Sequence, residues 1–122
     1  MLFRSKVLNV SAPFHSSLMT PARDKMAPLL NELQVAENDT QVIANLTGEL
    51  AKPYNPDLII QQIDHPVLWT KTIETAQENG VDTFVEVGPG KVLSGLLKRW
   101  LGKETNVLDC SDLSVLIQAL AV

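Results

Sequence analysis

Residues 83–87 form a compact apolar run that passes through Gly88-Pro89-Gly90 into Val92, Leu93, Leu96, Leu97 and Trp100 at helical spacing. A strand turning directly into an amphipathic helix restricts the fold more than any other feature of the chain. Gly102 closes that helix, a strand is expected over residues 105–108, and Ser111 is placed to cap a terminal helix presenting Leu113, Leu116, Ile117 and Leu120 inward. Strand, helix and strand in succession imply parallel neighbours, because such strands need a crossover of about a dozen residues.

The first half repeats the alternation. Residues 6–10 read as a short strand whose end releases a loop over residues 11–17, which holds His15. Thr20 is expected to cap a helix opened by Pro21, with Ala22, Met26, Leu29, Leu30 and Leu33 on one face. Pro28 lacks the amide hydrogen owed to residue 24, so a kink or two shorter pieces are expected there. Residues 42–47 read as a second strand, followed by a polar connection over residues 48–55. Asn55 before Pro56 marks a capped helix reaching about Gln62, and a further helix from Pro66 places Trp69, Ile73 and Ala76 on one face until Gly80. The fold class is α/β, with a mostly parallel sheet covered on both faces.

A length of 122 residues suits one core. Ten Lys plus Arg against fourteen Asp plus Glu leave a net charge of -4, so no nucleic-acid partner is expected. No apolar run approaches the roughly 18 to 20 residues of a membrane span, and no membrane partner is expected. The single Cys110 cannot form an internal disulfide, which fits a cytoplasmic location.

Ligands of open α/β sheets gather beyond the carboxyl ends of strands, which favours His15. Its imidazole can hold or release a proton near neutral pH, yet a loop histidine is often only structural. Asp64, His65 and His15 do not show the spacing of a three-ligand zinc site, so no metal is expected. Gly88-Pro89-Gly90-Lys91 looks like a phosphate-cradling turn but lacks the spacing of either glycine-rich phosphate motif, so a tight strand-to-helix turn explains it better. No G-x-S-x-G occurs, and Ser16 and Ser17 are too near His15 in sequence to be attacked-proton donors for it. The residues alone thus give a candidate base without a nucleophile.

Three segments taken together are more specific: Val10-Ser11-Ala12-Pro13-Phe14-His15-Ser16-Ser17-Leu18-Met19, Gln62-Ile63-Asp64-His65-Pro66-Val67-Leu68-Trp69-Thr70 and Val85-Glu86-Val87-Gly88-Pro89-Gly90-Lys91-Val92-Leu93. In order and spacing they resemble the C-terminal part of bacterial malonyl-CoA:acyl-carrier-protein transacylases, over roughly residues 7 to 122. That family moves a malonyl group from coenzyme A to the phosphopantetheine thiol of acyl carrier protein in fatty acid biosynthesis, through an acyl-serine intermediate. The resemblance makes His15 the catalytic histidine and Gln62 the residue whose main-chain carbonyl fixes the ring's tautomer, with the Gln62 side chain of little consequence. It makes Phe14 the bulky substrate-binding residue that favours malonyl over methylmalonyl.

The resemblance implies an α/β-hydrolase-like acyltransferase subdomain, partial here, with residues 11–122 in the large subdomain and 6–10 ending a ferredoxin-like insert that is otherwise absent. Residues 1–5 fit poorly and read as an assembly artefact. The family's serine, oxyanion-hole and carboxylate-binding arginine motifs fall outside the matched part, and Arg4, Arg23 and Arg99 do not align with that arginine. The chain alone is therefore expected to be inactive, with uncovered apolar faces and a tendency to self-associate. The implied partners are malonyl-CoA and phosphopantetheinylated acyl carrier protein, the implied cofactor is none, and the full-length relatives are expected to be monomeric. The competing reading is a non-catalytic module that docks acyl carrier protein through Lys91, Lys98, Arg99 and Lys103.

Overall fold

The structure, a computed structural model, describes residues 7, 10–36, 39–110, 114 and 117. It is mixed α/β and groups into two compact units, Met1–Ala76 and Gln77–Val122, where the length suggested one core. The second unit is a strand–helix–strand motif whose two strands pair with each other and whose helix packs against them.

In the first unit a short 3-10 turn, Ser17–Met19, leads into helix α1, Thr20–Asn31. Thr20 is the first helical residue and not the cap, and its hydroxyl is used elsewhere. Pro28 does not split α1; it lies within a single helix that ends at Asn31, within a turn of the proline. Of the expected apolar face only Ala22 and Leu30 are half-buried, while Met26, Leu29 and Leu33 are exposed.

The strand expected over residues 42–47 is shorter and its partner was unforeseen. Strand β1, Val42–Ile43, pairs antiparallel with β2, Leu50–Ala51, in the register Val42↔Ala51 and Ile43↔Leu50. Residues 44–49 are too few for a parallel crossover, and the amide of Gly48 closes the turn on the Ala44 carbonyl at 2.7 Å. Gly48 stands at φ +65, and a Cβ there would lie 2.8 Å from the Lys71 Cβ. The turn therefore needs glycine.

Helix α2, Pro56–Gln61, starts as its sequence suggests: the Asn55 side chain accepts the Leu58 amide at 3.3 Å, and Pro56 occupies the first turn. Helix α3, Trp69–Glu78, begins three residues later than expected and buries Ile73 and Ala76. Leu68 stands just before it, its amide donating to the Asn45 carbonyl at 3.0 Å and its carbonyl accepting the Thr72 amide at 2.9 Å.

In the second unit β3, Thr83–Val87, and β4, Asn106–Cys110, pair in parallel from Thr83↔Asn106 to Val87↔Cys110. Helix α4, Val92–Leu101, makes the crossover. Among the described residues the expected sheet is thus present as two separate two-stranded sheets, only one of them parallel. Leu97 and Ser94 are the buried residues of α4, whereas Val92, Leu93, Leu96 and Trp100 stay exposed. The helical spacing held, but the stripe is open to solvent. Among the described residues the buried apolar side chains are Ala44, Ile60, Ile73, Ala76 and Leu97.

The strand expected over residues 6–10 lies outside the described residues except for Val7 and Val10, and so does most of the terminal helix. Ile117, expected inward, is described and exposed. Among the described residues no helix is long and apolar enough to cross a membrane.

Candidate active site

The site is built from two segments far apart in sequence. His15 lies in the loop ahead of α1 with φ 57, a left-handed conformation that a non-glycine residue adopts at a cost. Around it Ser16 Oγ donates to the Pro13 carbonyl at 2.7 Å, and the Met19 amide donates to the Ser16 carbonyl at 2.9 Å. The loop is thus folded on itself.

Gln62 ends α2. In a continuing helix its carbonyl would accept the amide of residue 66, but that residue is Pro66, which has no amide hydrogen. The carbonyl is therefore left for another donor. His15 Nδ1 takes it, 2.8 Å from Gln62 O across 47 residues. A carbonyl oxygen can only accept, so Nδ1 carries the hydrogen, and in the neutral ring the lone pair then lies on Nε2. An imidazole held this way is oriented to act as a base through Nε2.

The Gln62 side chain has its own partner: Asn45 Nδ2 donates to Gln62 Oε1 at 2.9 Å. Neither Asn45 nor this contact was picked out from sequence, since nothing in an isolated Asn announces a partner seventeen residues away. Phe14 immediately precedes His15 and is exposed.

Asp64 was also overlooked as more than a possible ligand. Its side chain is only 5% exposed, and Oδ2 accepts from Thr20 Oγ1 at 2.8 Å and from Arg23 Nη1 at 2.9 Å. Its Oδ1 lies 2.8 Å from His65 Nδ1, whose hydrogen is shared with the Gln61 carbonyl at 2.7 Å. The Thr20 hydroxyl, then His65 and the Arg23 charge hold this carboxyl below its ordinary value, against the opposing effect of burial. Arg23 is itself raised, chiefly by its bond to Asp24. Among the described residues no three His, Cys, Asp or Glu side chains gather as metal ligands would.

The second unit carries the glycine turn. Glu86 Oε1 accepts the Leu93 amide at 3.0 Å and Oε2 accepts the Ser94 amide at 2.8 Å and the Ser94 hydroxyl. These bonds, the Ser94 hydroxyl foremost, lower the Glu86 carboxyl below its ordinary value. The first amides of α4 are thus taken by the chain's own carboxylate.

No family model matches the chain. A curated relative, the malonyl CoA-acyl carrier protein transacylase of Bacillus subtilis, is 40% identical over 111 residues, which is 89% of this chain and 35% of that protein. The transacylase of Haemophilus influenzae is 38% identical over 101 residues, 32% of its length. The crystal structure of the transacylase from Clostridium perfringens superposes with a TM-score of 0.79 at 40% identity, covering 93% of this chain and 36% of that one. A type II PKS acyl-carrier protein in complex with its malonyl-transacylase matches at TM-score 0.79 and 35% identity, again over 93% of this chain and 37% of that one. The chain spans about a third of the length of the relatives it matches. With sequence and backbone agreeing over that third, the chain is a homologue of the malonyl-CoA:acyl carrier protein transacylases.

Proposed function

We propose that these residues supply the histidine half of a malonyl transfer from coenzyme A to acyl carrier protein, with the serine nucleophile on polypeptide outside the 122 residues. The supporting observation is the 2.8 Å approach of His15 Nδ1 to the Gln62 carbonyl. His15 Nε2 takes the serine proton as the serine oxygen attacks the malonyl thioester carbonyl. The acyl-serine forms, the carbon–sulfur bond breaks, and the imidazolium returns the proton to the departing coenzyme A thiolate. In the second half the same nitrogen takes the proton of the phosphopantetheine thiol, the thiolate attacks the acyl-serine, and the serine oxygen leaves with that proton. Gln62 keeps the tautomer fixed through both halves. Phe14 crowds the space beside the ring and disfavours an α-methyl group, a preference of about 1 to 3 kcal/mol at most. Residues 11–122 belong in this reading to the large subdomain, and the setting is cytoplasmic fatty acid biosynthesis.

A chimera tests the reading: residues 7–122 replace the corresponding third of the Bacillus subtilis relative. Malonyl transfer to the carrier protein is expected, and His15→Ala should lower kcat by about 10²- to 10⁴-fold. A folded, active chimera indifferent to His15→Ala would overturn the proposal. The second reading, a non-catalytic carrier-docking module, draws on the exposed α4 face with Lys98 and Arg99 in its last turn. Salt-sensitive binding of carrier protein by the chain, joined to an inactive chimera, would favour it.

A further inference from the structure

We propose that Asp64 is a positioning residue for His15, holding the first turn of α1 against the turn that presents the Gln62 carbonyl. Its catalytic consequence rests on the reading of His15 as the base; the geometric claim does not.

Two connections join the same pair of segments. One is the bond from His15 to Gln62, and the other is the pair of bonds from Thr20 and Arg23 to Asp64. Thr20 follows His15 by five residues and Asp64 follows Gln62 by two, so the connections close a small ring of chain. Their exposures differ sharply. His15 is exposed, and a lone hydrogen bond that competes with water is worth only about 0.5 to 1.5 kcal/mol net. Such a bond is maintained when its partners are already held at contact distance. The left-handed backbone of His15 adds a cost that its surroundings must offset.

Asp64 meets that requirement. It is buried, it bonds through both oxygens, and two of its donors sit on the first turns of α1. A carboxylate taken out of water persists where its oxygens are all used, and breaking the set leaves a buried charge without donors. The cluster is therefore a firm fixed point beside a weak one. His65 and Arg23 are the titratable groups facing Asp64, with Asp24 on the far side of Arg23. On the other flank Asn45 grips the Gln62 side chain, so the carbonyl is restrained from both directions.

The nitrogen shifts of the His15 ring in the full 122-residue chain report which nitrogen carries the proton, and His65→Gln separates its signals from those of the other histidine. The wild-type chain should show the Nδ1–H form. In Asp64→Leu the neutral ring should shift toward the Nε2–H form that a solvated imidazole favours. Asp64→Asn keeps an acceptor oxygen for Thr20 and should largely restore the first form, a rescue that general loss of stability would not produce. Thr20→Val removes one donor gently, should move the ring part of the way, and serves where Asp64→Leu does not fold. A folded Asp64→Leu or Thr20→Val chain with an unaltered His15 tautomer would refute the proposal. In the active chimera Asp64→Leu should lower kcat by up to about 10²-fold with KM little changed. A responsive tautomer in a chimera without activity would leave the positioning role standing and remove the acyl-transfer reading instead.

Discussion

Asn45 Nδ2 lies 2.9 Å from Gln62 Oε1 while the main-chain oxygen of the same glutamine lies 2.8 Å from His15 Nδ1. One residue thus works with both its side chain and its backbone. Gln62→Ala keeps the carbonyl but strands the Asn45 amide, and it should cost about 0.5 to 1.5 kcal/mol in urea unfolding. The His15 ring should lose part of its Nδ1–H population as well. Unchanged stability and ring shifts would show that the side-chain contact contributes nothing.

The backbone of His15 sets a separate expectation. At φ 57 a β-branched side chain is strained and glycine is not. Both His15→Val and His15→Gly lose the bond to Gln62, so the difference between them isolates the backbone. The valine variant should be the less stable by about 1 kcal/mol, allowing for the greater unfolded-state freedom of glycine. Equal midpoints in urea would mean the loop relaxes.

Gly48→Ala should be destabilising by at least about 1 to 2 kcal/mol. The position combines φ +65 with a Cβ site 2.8 Å from the Lys71 Cβ and 2.9 Å from its Cγ. The Gly48 carbonyl also accepts the Thr75 hydroxyl, so relief by shifting the turn would break a second contact. Thermal unfolding of the variant checks this.

Acid should weaken the fold through Asp64 and Glu86. Both carboxyls lie below their ordinary values when folded, so the unfolded chain binds protons first as the pH falls. Their contribution is complete above the unfolded carboxylate range, about pH 4 to 4.5, and is lost as the pH drops through the lower folded-state values. Urea midpoints should therefore decline below that range, and Asp64→Asn with Glu86→Gln should flatten the decline. An equally steep acid loss in the double variant would place the responsible groups elsewhere.

The exposed apolar surface at the end of β3 and on α4 bears on solution behaviour. Val87 is 68% exposed, Val92 72% and Trp100 55%. Apolar surface of this kind favours association, and sedimentation should show a mass that rises with concentration. Val92→Thr with Trp100→Gln should reduce that rise while changing stability by no more than about 0.5 kcal/mol per site. A concentration-independent monomer would contradict the expectation.

Local rules were legible where a local cause decides. Asn55 with Pro56 fixed a helix start, and the run through Gly88-Pro89-Gly90 fixed the passage from β3 to α4, because caps, glycines and period act within a few residues. The hairpin of β1 and β2 was not legible, since Leu50 and Ala51 carry no strand signal and pair only because the Gly48 turn returns the chain. Thr20 reads as a cap in sequence, yet its hydroxyl is claimed by Asp64 from the far end of the unit. In the site, His15 stood out by its loop position and its chemistry and Gln62 by resemblance to known sequences, whereas Asn45, Asp64 and Arg23 act through contacts more than fifteen residues away that no spacing rule encodes. The vacancy that Pro66 leaves at the Gln62 carbonyl could have been read from the chain, as a proline four residues beyond a helix C-cap.

Glu86 has a consequence for how the glycine turn would meet an anion. A helix start that already houses a carboxylate repels a second anion in place of welcoming it. The glycine turn of the second unit is accordingly a self-sealed joint of strand and helix, and an anion would have to find its counter-charge elsewhere than on these amides.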